Sequence, residues 1–291
     1  MTSRSCSCGQ QIAWEPPATP VPLERVRCPA CDKEHLFSGY EKMDVALSEL
    51  CNFRCNMCRR PSRPGTLERK QVEQVLDQAA DLGLSTVSFC GGEPFIHPDF
   101  LPIARHAIDL GLKVQLTTNG SLVTRDNIRQ LAGLDCLTVS IDALEETHDA
   151  IRGHPGAFRK ACQALRLAAD AGIPRGTNTV IQRRNAGELE QLFHHLMQVL
   201  EGRLDYVRHA PVEVVPETAE LMVADAEIPL VLDQLTRIAA SCDASGVYFS
   251  HRTQLIEHLP LYLDKWTRHR PLITHGFAEA VRGLRHLDPP D

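Results

Sequence analysis

The sequence predicts an α/β fold: a partial (β/α)6 TIM-like barrel with a small N-terminal four-cysteine metal-binding module. Three observations carry that expectation. From residue 43 to about residue 210, short apolar strand patterns alternate with longer helical ones, and a repeated strand–helix order calls for a parallel sheet covered by helices. The alternation stops after six strands, short of the eight of a closed barrel. Polar and glycine-containing motifs collect where the strands end, the working edge of such folds.

Residues 1–42 form the expected metal module. Two close pairs, Cys6 with Cys8 and Cys28 with Cys31, bracket the proline-rich Trp14–Pro22 stretch, which is hostile to helix interiors. The Cys28-Pro-Ala-Cys31 spacing suits a tetrahedral zinc site, and Cys6-Ser-Cys8-Gly completes four thiolates in a ribbon-like unit. A second iron–sulfur cluster and unligated thiols are the alternatives. With so little apolar sequence, such a module gains much of its folding energy from the metal.

Residues 43–215 are the barrel core. Strands are expected at Val45–Glu49, Thr86–Phe89, Lys113–Thr117, Cys136–Ser140, Arg175–Val180 and Tyr206–His209. Helical spacings occupy Leu67–Leu82, Phe100–Leu110, Thr124–Leu134, Ala157–Ala171 and Glu188–Leu200. Gly83, Gly111 and Gly172 follow three of these helices as turns or C-caps. Residues 216–291 read as a helical extension that closes the barrel or contacts substrate, with a helix around Leu230–Ala240 and a short β-prone Val247–Ser250.

Composition bounds the function. A chain of 291 residues, 43% hydrophobic and 23% charged, has ample sequence for a buried core. The formal net charge of -6 leaves no global footprint for nucleic acid or an anionic membrane. No apolar run approaches the roughly 20 residues of a spanning helix. Eleven cysteines are odd in number and clustered, and Met1–Cys6 lacks the apolar core of a signal peptide. A reducing cytoplasm is the expected location.

Reactive chemistry is expected at Cys51-Asn-Phe-Arg-Cys55-Asn-Met-Cys58. Three thiolates at this spacing can hold three irons of a [4Fe-4S] cluster and leave the fourth open to a non-protein ligand. Gly91-Gly92-Glu93-Pro94 follows the second strand. There, two glycines permit close backbone approach to a ligand, the carboxylate can accept from an ammonium group, and the proline restricts the loop.

Together, Cys51-x3-Cys55-x2-Cys58 after the first strand and Gly91-Gly92-Glu93-Pro94 after the second resemble the radical S-adenosylmethionine (radical SAM) superfamily. The resemblance covers about residues 43–210. Thr117-Thr-Asn-Gly120 and Ser140-Ile-Asp142 are similar to the branch containing molybdenum-cofactor cyclases, quinone-cofactor maturases and peptide-modifying enzymes. It implies a [4Fe-4S] cluster on Cys51, Cys55 and Cys58, with S-adenosylmethionine chelating the open iron. One electron then cleaves a carbon–sulfur bond to give methionine and a 5'-deoxyadenosyl radical, the cofactor supplying the chemistry and the protein positioning it. It further implies an external one-electron reductase such as flavodoxin or ferredoxin.

By the same resemblance, Gly91, Gly92, Glu93 and Pro94 face the methionyl amine, Met57 packs against adenine or plugs the local core, and Ser140 and Asp142 contact ribose or carboxylate. Loop capping is the alternative for Asp142, and turn formation that for Asn119. Asn178 is a further cofactor candidate. Arg152 can reach a carboxylate or stand solvated at a helix edge. His97, His209 and His251 are candidate proton donors or acceptors; Cys90, Cys136, Cys162 and Cys242 are expected as packed thiols rather than ligands, with Cys90, next to the glycine loop in sequence, facing either core or cavity. Several members of that branch carry further clusters in a cysteine-rich C-terminal extension, whereas this chain has only Cys242 after Cys162.

The leading expectation is therefore a radical SAM enzyme acting on a small metabolite. The alternatives are a peptide or protein maturase, in which residues 1–42 recognise a polypeptide, and a non-catalytic metal-stabilised binding protein.

Overall fold

The computed structural model describes residues 2–6, 8–14, 24–37, 42–58, 65–212 and 216–250. The expected terminal helices of residues 253–291, His251 and residues 15–22 lie outside the described residues.

Two antiparallel hairpins open the chain: β1 (Thr2–Ser5) with β2 (Gln11–Trp14), and β3 (Glu24–Arg27) with β4 (Glu34–Phe37). Their turns carry the cysteines. The Gly9 amide donates to the Cys6 carbonyl at 2.8 Å, and the Asp32 amide donates to that of Cys28 at 2.9 Å. Cys6, Cys28 and Ile12 are buried together, with Val26 against them. A core this small is typical of a fold that relies on a staple.

The larger sheet comprises β5 (Lys42–Ser48), β6 (Thr86–Gly91), β7 (Lys113–Thr118), β8 (Cys136–Ser140), β9 (Arg175–Ile181), β10 (Tyr206–Pro211) and β11 (Tyr248–Ser250). Its order is β11-β10-β9-β8-β7-β6-β5. The recorded pairings β5–β6, β6–β7, β9–β10 and β10–β11 are parallel. Helices follow the strands: α1 (Arg69–Asp81), α2 (Phe100–Asp109), α3 (Arg125–Gln130), α4 (Glu145–Arg152), α5 (Ala157–Asp170), α6 (Leu189–Val199) and α7 (Ile228–Ser245). The α/β partial barrel is as expected, with one strand more than the six counted. The seventh, β11, lies in the β-prone Val247–Ser250 stretch that follows the expected helix around Leu230–Ala240, here α7, and it pairs with β10.

The chain divides into two compact units. The first holds β1–β7 and α1–α3; β8 is shared at Leu137; the second holds the later elements together with Phe53–Cys58 and Asn119–Ser121. In the first, Val87, Phe89, Val114 and Leu116 alternate along β6 and β7 and are buried, as are Val72 and Leu76 of α1 and Phe100 and Ile103 of α2. Phe89 and Phe100 meet edge to face at 5.9 Å. Burying each such side chain stabilises the fold by about 1.5–3 kcal/mol. In the second, Phe158, Ala161 and Leu165 of α5 and Leu192 and Leu196 of α6 are buried. Gln234 of α7 donates to the Ala186 carbonyl at 2.7 Å and accepts from the Glu190 amide at 3.2 Å. Among the described residues no helix is long and apolar enough to cross a membrane.

Candidate functional site

The four N-terminal thiols converge. The sulfurs of Cys6, Cys8, Cys28 and Cys31 all lie within 4.8 Å of one another, with Cys6 to Cys31 at 3.5 Å and Cys8 to Cys28 at 3.6 Å. Each close contact joins one hairpin turn to the other, so a single ion at the centre would tie both together.

In the first unit, the end of β5 leads into Cys51. Ser48 Oγ accepts from the Leu50 amide at 3.1 Å and contacts Thr66 Oγ1 at 2.9 Å, fixing the approach to that cysteine. The glycine loop docks on the same backbone: the Gly92 amide donates to Ser48 O at 2.7 Å and the Glu93 amide to Leu50 O at 2.8 Å. Gly91 has φ +108°, and a Cβ on Gly92 would fall 1.9 Å from Leu50 O. Only glycine permits this approach. Glu93 is fully buried; its Oε1 accepts from Thr118 Oγ1 at 2.7 Å and from the Phe95 amide at 3.3 Å. Pro94 begins a single 3-10 turn, Pro94–Ile96, that holds this geometry.

In the second unit, Cys55, Met57 and Cys58 sit on a loop pinned to the C-terminus of α4. The Asn56 amide donates to Ile151 O at 2.9 Å and the Arg54 amide to Arg152 O at 3.2 Å. Met57 and Cys55 are half-buried and Cys58 is exposed. Arg152 is not a solvated edge residue: it is 8% exposed. Its Nε lies 2.6 Å from Asp142 Oδ2, and its Nη1 donates to Cys55 Sγ at 3.8 Å. Its Nη2 is buried and has no hydrogen-bond partner among the described residues. Asp142 is fully buried, and its Oδ1 accepts from the Val180 amide at 3.0 Å. His148 Nδ1 accepts from the Asp142 amide at 3.0 Å; burial, and then the charge of Arg152, push the histidine pKa down to about 3, so the ring is neutral.

The remaining candidates fall into two groups. Ser140 ends β8 half-buried, and Asn178 on β9 has a buried Oδ1 without a partner among the described residues. Asn119 Oδ1 accepts from the Ser121 amide at 2.8 Å, forming the turn. His97 uses both ring nitrogens structurally, donating from Nε2 to Leu67 O at 2.8 Å and accepting at Nδ1 from the Asp99 amide at 3.1 Å. His209 is buried against Phe249, and burial pushes its pKa down to about 4. Cys162 and Cys242 are buried; burial raises the thiol pKa of Cys90, and that of Cys162 to about 11.

Sequence reasoning missed the amides beside the cysteine loop. Asn56 Nδ2 donates to Gln182 Oε1 at 2.9 Å, and Asn185 Oδ1 accepts from the Gln182 amide at 2.8 Å. Asn56 and Gln182 line a cavity of about 330 Å³ with Arg183, Arg184, Glu220 and Leu221. The pairing spans 126 positions and leaves no local signal. Thr118, the buried partner of Glu93, stood in a recognised motif without a role.

The donor sets fit two different groups. Cys51, beside a close-packed backbone cradle in the first unit, and Cys55 and Cys58, on the loop held by a buried cationic donor in the second, are soft sulfur donors of the kind an iron–sulfur cluster takes. Four thiols converging on one point suit a single tetrahedral ion.

Comparison with known proteins agrees with the thiolate chemistry. The family model described as the Radical SAM superfamily matches residues 45–196, just over half of the chain. An AdoMet-dependent heme synthase of Methanosarcina barkeri is 38% identical over 150 residues, 49% of this chain and 43% of that protein. A PqqA peptide cyclase of Gluconobacter oxydans is 34% identical over 169 residues, 55% of this chain and 46% of that protein. These matches thus span less than half the length of the curated relatives. Among solved structures, Streptococcus suis SuiB bound to S-adenosylmethionine superposes with a TM-score of 0.62 at 19% identity, covering 74% of this chain and 51% of that one. Native anSMEcpe with bound AdoMet gives 0.61 at 17% identity, covering 76% and 66%. At these identities the structural likeness is one of fold.

Proposed function

Because the chain belongs to the radical SAM superfamily, we propose that it is a radical enzyme and that its substrate is a peptide or protein. When bound, a [4Fe-4S] cluster and S-adenosylmethionine supply one-electron cleavage of a carbon–sulfur bond and hence a radical able to take a substrate hydrogen. The observation that carries the reading is the glycine loop docked on the backbone that enters the cysteine loop.

In this proposal Cys51, Cys55 and Cys58 hold the cluster. Gly91, Gly92, Glu93 and Pro94 receive the methionyl ammonium, with Thr118 orienting the Glu93 carboxylate. Arg152, through its unpartnered Nη2, and Ser140 receive the carboxylate; Asn178 Oδ1 accepts from a cofactor hydroxyl or amine; Met57 packs against adenine. Asp142 acts through Arg152, and Asn119 through its turn. A flavodoxin or ferredoxin delivers the electron.

The relatives favour the peptide reading over the small metabolite expected from sequence. One is named for a peptide substrate, and SuiB is also solved with its precursor peptide SuiA. A second reading, a heme-type metabolite, rests on the 38% identical heme synthase.

We assign zinc to the N-terminal site. Zinc–sulfur bonds of about 2.3 Å arranged tetrahedrally place sulfurs about 3.8 Å apart, close to the 3.5 and 3.6 Å of the two pairs. A four-iron cube between the thiolates would need them wider. Residues 1–42 then form a metal-stabilised module that recognises the polypeptide, ahead of a core over 43–215 and an extension over 216–291.

The test is anaerobic turnover with dithionite and S-adenosylmethionine. 5'-Deoxyadenosine should form, rise in the presence of a precursor peptide that changes mass, and vanish in Cys55→Ala. Stimulation by a heme precursor and by no peptide would select the second reading; no 5'-deoxyadenosine from cluster-loaded protein would remove both.

A further inference from the structure

We propose that Arg152 raises the reduction potential of the iron–sulfur cluster through Cys55, and that Asp142 fixes this arginine while partly offsetting its charge. The inference rests on Cys55 being a cluster ligand. It goes beyond cofactor binding, because it concerns the electron that the cluster must accept.

The geometry is specific. One guanidinium, 8% exposed, spans a carboxylate and a cysteine sulfur: Asp142 Oδ2 at 2.6 Å from Nε, and Cys55 Sγ at 3.8 Å from Nη1. The carboxylate cannot drift. Its Oδ1 accepts from the Val180 amide at 3.0 Å, its backbone amide is taken by His148 Nδ1 at 3.0 Å, and its carbonyl accepts from Asn185 Nδ2 at 2.6 Å. Arg152 makes no side-chain bond to a backbone carbonyl among the described residues, so a purely loop-bracing role leaves its direction toward sulfur unexplained.

Adding an electron to a thiolate-ligated cluster raises negative charge on the sulfurs. An N–H donor and a positive charge at a ligating sulfur therefore favour the reduced state, and burial keeps the effect from being screened. The adjacent carboxylate opposes it. Arg152 and Asp142 are thus positioning residues with opposite signs. His148, neutral in its buried site, adds no charge.

That opposition supplies the test: an EPR-monitored redox titration of the reconstituted full chain, without S-adenosylmethionine. Arg152→Gln should shift the midpoint potential down and Asp142→Asn should shift it up. Each shift should correspond to about a tenfold change in the oxidised-to-reduced ratio, about 59 mV for one electron. Arg152→Lys, which keeps the charge without the planar donor fork, should fall between Arg152→Gln and the unaltered protein. Shifts of the same sign in both variants, or none with intact iron and sulfide content, would overturn the proposal. Should Arg152→Gln fail to assemble a cluster, the signs from Arg152→Lys and Asp142→Asn decide it. Cys55→Ala with undiminished cluster content would instead overturn the ligand assignment.

Discussion

Glu93 has no exposed surface, and its Oε1 is shared between Thr118 Oγ1 and the Phe95 amide. A carboxylate held this way is presented in one orientation, as the proposed contact to an ammonium group requires. His209 is buried as well, and its Nδ1 has no hydrogen-bond partner among the described residues. The pKa is pushed down to about 4 by burial from an ordinary value near 6.5. The unfolded chain protonates this ring below about pH 6.5 and the folded chain does not until about pH 4. Its contribution is therefore complete above pH 6.5 and is lost as pH falls toward 4. At pH 5 this histidine should cost about 2 kcal/mol relative to pH 7. In urea unfolding, His209→Met should reduce the loss of stability between pH 7 and pH 5 by about that amount; an unchanged loss would show that the ring is already protonated in the fold. At this scale the cysteines, Gly91 and Gly92 were legible because their chemistry is written in adjacent positions. Arg152 was not, since its bond to Cys55 spans 97 positions and depends on tertiary packing.

The eight residues of α4 show what a short element contributes. Its buried side chains are His148, Ile151 and Arg152, two of them polar, so no apolar periodicity marks it as a helix, and it went unread in the sequence. Yet its terminal carbonyls receive the amides of Arg54 and Asn56. Gly153 ends it at φ +60°, where a Cβ would lie 2.5 Å from Arg54 O. The left-handed conformation costs a non-glycine residue about 1–3 kcal/mol, and the clash adds to that by moving the cysteine loop. Gly153→Ala should therefore retain helical circular dichroism while binding clearly less iron on reconstitution. Full iron binding would show that α4 does not position the loop. Longer helices were legible to within a few residues because they bury a regular stripe, as α5 does with Ala157, Phe158, Ala161 and Leu165.

Across the whole molecule, repeated strand–helix order made the partial barrel legible; the β-prone Val247–Ser250 lay outside the six strands counted and joins the sheet through β11, next to β10. The two cysteine groups differ in physical character. One converges on a point within two hairpins of little core; in the other, Cys51 follows a strand end on which the glycine loop docks, and Cys55 takes a contact from a buried arginine. A structural ion and a reactive cluster are the occupants those environments suit. The most direct measurement of that division is iron, acid-labile sulfide and zinc content of anaerobically reconstituted protein, beside a variant with Cys51, Cys55 and Cys58 all replaced by Ala. The account predicts that the variant loses its iron and sulfide and keeps one zinc. Iron and sulfide unchanged by the replacement would contradict it.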